Sequence, residues 1–140
     1  MSVREQNLET IAPVMASFSI HQTAGVDDLK DADIGKSVTL TGDYEVGPCT
    51  SGDILLGKLV TLSLTDNDNG ERVATVQIGG ICRLSITTTY PTVGDRVVGG
   101  ADGTVRQAPA LGSNDPAGGN IARGMVLEVN GTTDCTVLLN

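Results

Sequence analysis

The sequence predicts an all-β fold: a small antiparallel β-barrel or sandwich over residues 36–140, preceded by an extended N-terminal arm over residues 1–35. Three observations carry this expectation. From Lys36 onward, short runs rich in Val, Ile, Leu and Thr are cut by Gly, Asn and Asp, the pattern of short strands joined by turns. No apolar pattern of helical period persists for three turns. With 140 residues, 39% hydrophobic, the chain can close one core, and because its aromatics are only Phe18, Tyr44 and Tyr90 that core must be aliphatic.

The arm differs in composition from the rest of the chain, with six acidic residues against two basic ones and with His21 and Phe18, the single His and Phe of the chain. A short helix over 3–11 is compatible with the sequence, but Pro13 interrupts it. Val14-Met15-Ala16-Ser17-Phe18-Ser19-Ile20 then alternates in part as a strand does, so the arm is expected to be extended. Asp27, Asp28, Asp31 and Asp33 surround Lys30 without a glycine turn and read as a solvated loop or helical turn rather than a metal cluster.

Within the β domain, strands are expected over 36–41, 54–56, 59–65, 72–78, 81–87, 96–98, 104–107, 121–129 and 135–139. In the third of these, Val60, Leu62 and Leu64 should face inward and Thr61, Ser63 and Thr65 outward. Asp66-Asn67-Asp68-Asn69-Gly70, Gly79-Gly80 and Asn130-Gly131 supply residues that tolerate positive φ, and they predict consecutive antiparallel hairpins. At the last of them, a two-residue loop would set Leu127 opposite Asp134 and Met125 opposite Thr136. A three-residue loop with a glycine bulge aligns Met125 and Leu127 with Cys135 and its odd-numbered neighbours, and is the expected form.

The net charge of −8, from 17 acidic against nine basic residues without a Lys/Arg cluster, argues against a nucleic-acid partner, because phosphate affinity comes from counterions released at such clusters. The same balance disfavours anionic membranes, and the scarcity of aromatics removes stacking platforms for single strands. No stretch reaches membrane-spanning length, and the first 20 residues lack a basic segment followed by an apolar run, so the chain is expected to be made and used without export. Asn130-Gly131-Thr132 matches a glycosylation sequon but reads as a turn. Cys49, Cys82 and Cys135 are widely spaced, odd in number and without a C-x-x-C pair, which indicates neither a disulfide framework nor a zinc site. Cys82 and Cys135 are expected to be buried core thiols, whereas Cys49 sits in a loop and its state is open.

Chemistry-bearing motifs are scarce. Asp66, Asp68 and Gly70 put glycine at the fifth position of a would-be calcium loop instead of the sixth, so the segment reads as a polar hairpin tip. The glycine-rich run from Gly94 to Gly103 has neither G-x-G-x-x-G nor a P-loop ending, and His21 has no nucleophile or carboxylate at triad spacing. Paired carboxylates could meet in space, yet nothing nominates a pair. No catalytic, metal-binding or cofactor-binding residue is nominated, and the chain is expected not to be an enzyme.

Four segments, taken in order, resemble a known group. They are Ser51-Gly52-Asp53-Ile54-Leu55-Leu56-Gly57-Lys58-Leu59-Val60, Val93-Gly94-Asp95-Arg96-Val97-Val98, Asp102-Gly103-Thr104-Val105 and Ile121-Ala122-Arg123-Gly124-Met125-Val126-Leu127-Glu128-Val129, followed by a short C-terminal strand. Their order resembles that of the small β-barrel head-decoration, or cement, proteins of tailed bacteriophages, over about residues 37–140. The resemblance implies a non-enzymatic virion protein, made in the host cytoplasm, that binds the major capsid protein on the outer surface of the mature head. It also implies self-association, commonly as a homotrimer over local threefold positions, and it carries over no catalytic residue. The long arm departs from the shorter family members, and the departure bears on the mode of attachment.

A small, soluble, acidic chain suits a cement that must saturate a lattice from solution without binding DNA. An arm carrying Val14, Phe18 and Ile20 that orders on the capsid would exchange conformational entropy for contact area, and 20 extended residues span over ~60 Å. Val14, Phe18 and Ile20 are therefore candidate capsid or inter-subunit contacts, and sheet edges of the β domain are expected to make the trimer. Arg83, Arg96, Arg106 and Arg123 are candidates for ion pairs across such contacts, beside the commoner reading of a solvated strand face. Two other classes stay open: a tail-tip or fibre-associated β module, which would trimerise without a capsid, and a small β-barrel enzyme or ligand binder, which needs a pocket of convergent polar groups.

Overall fold

The computed structural model describes residues 13–64, 72–110 and 122–140. The described residues are all-β: β1 (Val14–Ile20), β2 (Gln22–Thr23), β3 (Val26–Asp27), β4 (Ser37–Gly42), β5 (Glu45–Pro48), β6 (Gly57–Leu62), β7 (Val73–Ser85), β8 (Val97–Gly100), β9 (Thr104–Gln107), β10 (Met125–Asn130) and β11 (Asp134–Leu139), with one 3-10 turn at Asp31–Asp33. Five strands in the order β1-β5-β4-β6-β7 close into a barrel through a further pairing of β7 with β1. All its ladders are antiparallel except that of β1 with β5, which is parallel.

β1 is extended, as the sequence predicts, but the described part of the 1–35 stretch is built into the barrel and does not stand apart from it. Met15 to Ser19 pair along β7 from Gln77 to Val73, and Ser19 and Ile20 pair with Glu45 and Val46 of β5. One buried cluster spans residue 35, joining Ile20 and Leu29 to Val38, Val46, Leu59, Leu62, Ala74 and Val76. The physical reason is closure: without β1 the barrel would leave β5 and β7 as open edges. The short helix that the sequence permits over 3–11 lies outside the described residues.

Irregular pairing decides which side chains reach this core. The β6–β7 register shifts between Leu59 and Thr61, so Leu59 and Leu62 are buried while Val60 is half-buried and Leu64 is 90% exposed. The expectation that Val60, Leu62 and Leu64 share the inner face is thus corrected: one extra residue in a strand exchanges its two faces. No strand forms over 54–56, and β5 replaces it in the barrel; with Gly47 and Pro48 in four residues, β5 carries little β-propensity.

Gly79-Gly80 is not a hairpin turn. β7 runs through it as one 13-residue strand, with Gly80 at φ +88 marking a bend where the strand leaves the barrel. The buried Gln77 spans the bend, its Nε2 donating to the carbonyls of Gly79 at 3.0 Å and Ile81 at 3.1 Å. Beyond it β7 pairs with β11, and β11 with β10.

This second half has its own core, made of Cys49, Leu55, Cys82, Leu84, Ile86, Val97, Val105, Val126, Cys135, Val137 and Leu139. Main-chain bonds ring it: Gly94 N–H to Val126 C=O, Val97 with Arg123 in both directions, the β8–β9 hairpin, and Thr87 N–H to Val105 C=O back toward β7. Asn130↔Asp134 pairing leaves the expected three-residue loop, with Gly131 at φ +57. A further register shift between Val126 and Glu128 turns Val126 inward and leaves Met125 and Leu127 exposed, the reverse of the facing expected for them. The Asp66–Gly70 loop lies outside the described residues, although β6 and β7 pair antiparallel on either side of it.

Candidate functional site

Register places three apolar side chains in one row on the outer face of the second half: Ile81 of β7 opposite Leu138 of β11, and Leu138 opposite Met125 of β10. Met125 is 47% exposed and the other two are half-buried, so the row is an apolar stripe crossing the sheet. The next row is polar, with Arg83 opposite Thr136 and Thr136 opposite Glu128. Arg83 Nη1 lies 4.0 Å from Asp134 Oδ1, and the Arg83 side chain is half-exposed. β1 enters beside the stripe, since exposed Val14 pairs with Gly79, two residues before Ile81. Val14 and Arg83, two of the residues nominated from sequence, therefore belong to one surface. Phe18 and Ile20 face the other way: Ile20 is buried in the barrel, and the half-buried Phe18 packs against the same cluster.

Arg123 also turns inward. Its guanidinium donates to the carbonyls of Leu55, Leu56 and Ile78, and its Nε to the main-chain oxygen of Asn140 at 3.3 Å. It thus ties the segment before β6 to β7 at the bend, and burial lowers its pKa from the ordinary value. A planar fork with several donors suits this clasp, which a point charge could not span.

Arg96 and Arg106 come together in a cleft of about 450 Å³ with Thr89, Asp95, Gln107 and Pro109. A tight turn builds its rim: Thr92 N–H and Oγ1 both donate to Asp95 Oδ2, at 2.8 and 2.9 Å, and Gln107 Nε2 donates to the same oxygen at 3.0 Å. Those bonds, led by the Thr92 amide, hold the Asp95 carboxyl below its usual range. Arg106 is anchored through Nε to Ser51 Oγ at 3.1 Å and Nη1 to the Gln107 carbonyl at 3.3 Å, whereas the Arg96 side chain is exposed. The same turn occurs at Thr50 and Asp53, with bonds of 2.8 and 2.9 Å, and Gly52 and Gly94 sit at φ +92 and +91.

At the other end of the molecule, a polar cleft of about 530 Å³ is lined by Ser19, His21, Gln22, Asp27, Thr41, Glu45 and Arg72. His21 Nδ1 lies 2.6 Å from Asp28 Oδ2, and this hydrogen bond raises the histidine pKa and lowers that of the aspartate. Ser19 Oγ donates to the Tyr44 carbonyl at 3.0 Å, so its proton is not directed at the imidazole. Asp31 pairs with Arg72 at 2.7 Å, and Asp33 with Lys36 at 3.0 Å, which accounts for two of the four arm aspartates as ion-pair partners. Among the described residues, no three His, Cys, Asp or Glu side chains converge to hold a metal ion.

None of the three cysteines forms a disulfide, and all three are buried, Cys49 included. Burial pushes the Cys49 thiol up to about 11 and that of Cys135 up to about 12, so neither is a thiolate at neutral pH. Sequence reasoning passed over Tyr44, which is 81% exposed at the tip of the β4–β5 hairpin, at φ +54. Gly42-Asp43-Tyr44-Glu45, lying between apolar runs, was the available turn signal. Comparisons with family models, curated proteins and solved structures return no match for the chain.

Proposed function

We propose that this chain is a structural virion protein, a capsid decoration or cement protein that binds the outer surface of the mature phage head and reinforces contacts between capsomers. The observation that carries the reading is the ordered set of segments at 51–60, 93–98, 102–105 and 121–129, which resembles the order in the head-decoration family. Surface chemistry supports it. An acidic chain with few cations needs an apolar contact to hold a protein lattice, and the Ile81–Leu138–Met125 stripe beside Val14 offers one. In this reading the stripe and the residues before Val14 meet the major capsid protein, Arg83 and Glu128 lie on the polar rim, and the half-buried Phe18 and buried Ile20 hold β1 in place.

The test is co-sedimentation of the purified chain with empty expanded heads and with unexpanded proheads. Saturable binding to expanded heads is the expected result, weakened at least tenfold by Met125→Glu and by removal of residues 1–12. No binding to either particle overturns the proposal, and a stable trimer in the same sample would then favour the tail-module reading.

A further inference from the structure

The Asp43-Tyr44 tip and the Arg96–Arg106 cleft are not used by the capsid-facing surface, and they complement each other. Tyr44 holds a left-handed backbone, which bulky side chains rarely adopt, yet its ring is 81% exposed and contributes nothing to either core. The tip is rigid nonetheless, because Ser19 donates to the Tyr44 carbonyl through both its main-chain N–H, at 2.8 Å, and its hydroxyl, at 3.0 Å. Asp43 beside it is exposed and adds a carboxylate to the knob.

The cleft has the opposite character. Arg96 and Arg106 line it, while the carboxylate at its rim, Asp95, already accepts three hydrogen bonds on one oxygen. Guanidinium groups bind carboxylates bidentately and stack on tyrosine rings, and Tyr and Arg are the residues that anchor protein interfaces. At about 450 Å³ the cleft has room for one aromatic side chain with its neighbour.

The tip is tied to β1 in the barrel half, and the cleft is built on β8 and β9 in the other half, so a copy presents the two features at different places. A contact between unlike patches is heterologous, the kind that gives a ring where its rotation closes and an open filament where it does not. We infer that the Asp43-Tyr44 knob of one copy docks in the Arg96–Arg106 cleft of a second copy of this chain, with Tyr44 stacked on a guanidinium and the Asp43 carboxylate between the arginines. The partner is another copy because, in a chain of net charge −8, the two-arginine cleft complements the chain's own acidic tip.

The test uses the full chain, with mass measured by light scattering over a wide concentration range. Tyr44→Asn removes the ring while suiting the left-handed backbone, and Arg96→Glu reverses the cleft charge at an exposed position; unchanged unfolding midpoints show that both variants fold. Each variant is expected to weaken self-association about tenfold or more. An equimolar mixture is expected to recover a heterodimer, because the intact knob of Arg96→Glu meets the intact cleft of Tyr44→Asn. A wild-type chain that stays monomeric, variants that keep the wild-type mass, or a mixture that recovers nothing would each overturn the inference. The assay contains no capsid, so failure of head binding and failure of this contact are read separately.

Discussion

Replacing Leu59 by alanine tests the irregular register that organises the barrel. Leu59 has no exposed surface and Leu64 is 90% exposed, although both sit in or beside the same strand and alternation from Leu62 would put Leu64, not Leu59, inside. The substitution removes three carbons, worth about 2.4 kcal/mol of transfer free energy at ~0.8 kcal/mol each. A closed ring of strands limits collapse into the space left behind, so the cavity raises the total to about 3–4 kcal/mol. For 140 residues the unfolding entropy is about 0.3 kcal/mol/K, and the melting temperature should fall by roughly 10–13 °C. Leu64→Ala should stay within about 0.5 kcal/mol of the parent. Urea unfolding followed by circular dichroism, with equal m-values for parent and variants, gives both numbers. A cost for Leu64→Ala equal to or above that for Leu59→Ala would refute the bulge at Val60 and restore simple alternation.

Arg123→Ala should destabilise by about 2–3 kcal/mol in the same assay, because it strips a charged donor from the Leu55, Leu56 and Ile78 carbonyls, and Arg123→Lys should recover less than half of that. The His21 pKa should lie above its ordinary 6.5 in an NMR titration and fall back toward it in Asp28→Asn. A raised histidine pKa stabilises the fold below the unfolded value and loses that contribution as pH rises through the folded one; the lowered Asp28 contributes above 3.8 and loses it as pH falls through its folded pKa. The pair is thus strongest in the window from about pH 4 to 6.5, and stability in Asp28→Asn should lose that dependence. Cys49, Cys82 and Cys135 should resist a disulfide reagent at pH 8 in the native chain and react together on unfolding, whereas rapid native labelling of any one would contradict its burial.

Much of the candidate surface was legible one residue at a time and illegible as a set. Val14 and Arg83 were nominated from sequence, but their neighbours Ile81, Leu138 and Met125 join them only through the register of three strands separated by up to 57 positions, from Ile81 to Leu138. Ile20 and Phe18 lay in a stretch whose acidic composition resembled a tail, and its apolar alternation was the truer signal. Arg123 looked like its fellow arginines because nothing local tells a clasp from a solvated cation; its acceptors come from residues 55, 56, 78 and 140. Cys49 sits just after β5, as the loop reading held, yet it is buried because Gly99 packs against its side chain, the space of a Cβ at Gly99 being only 2.9 Å from Cys49 Cβ.

Composition and contacts between near neighbours were enough to specify an all-β chain with an aliphatic core, an acidic surface and turns where Gly, Asn and Asp permit positive φ. It took long-range pairing to make Gly79-Gly80 bend a long strand between two cores instead of reversing it, to make Val14–Ile20 close the barrel, and to let extra residues at Val60 and Leu127 exchange inner and outer faces. A glycine pair permits either a turn or a bend at nearly equal local cost, and a bulge exists only relative to a partner strand. Such choices are settled by which arrangement buries the most apolar surface with every main-chain group bonded, a property of the whole sheet and not of any segment within it.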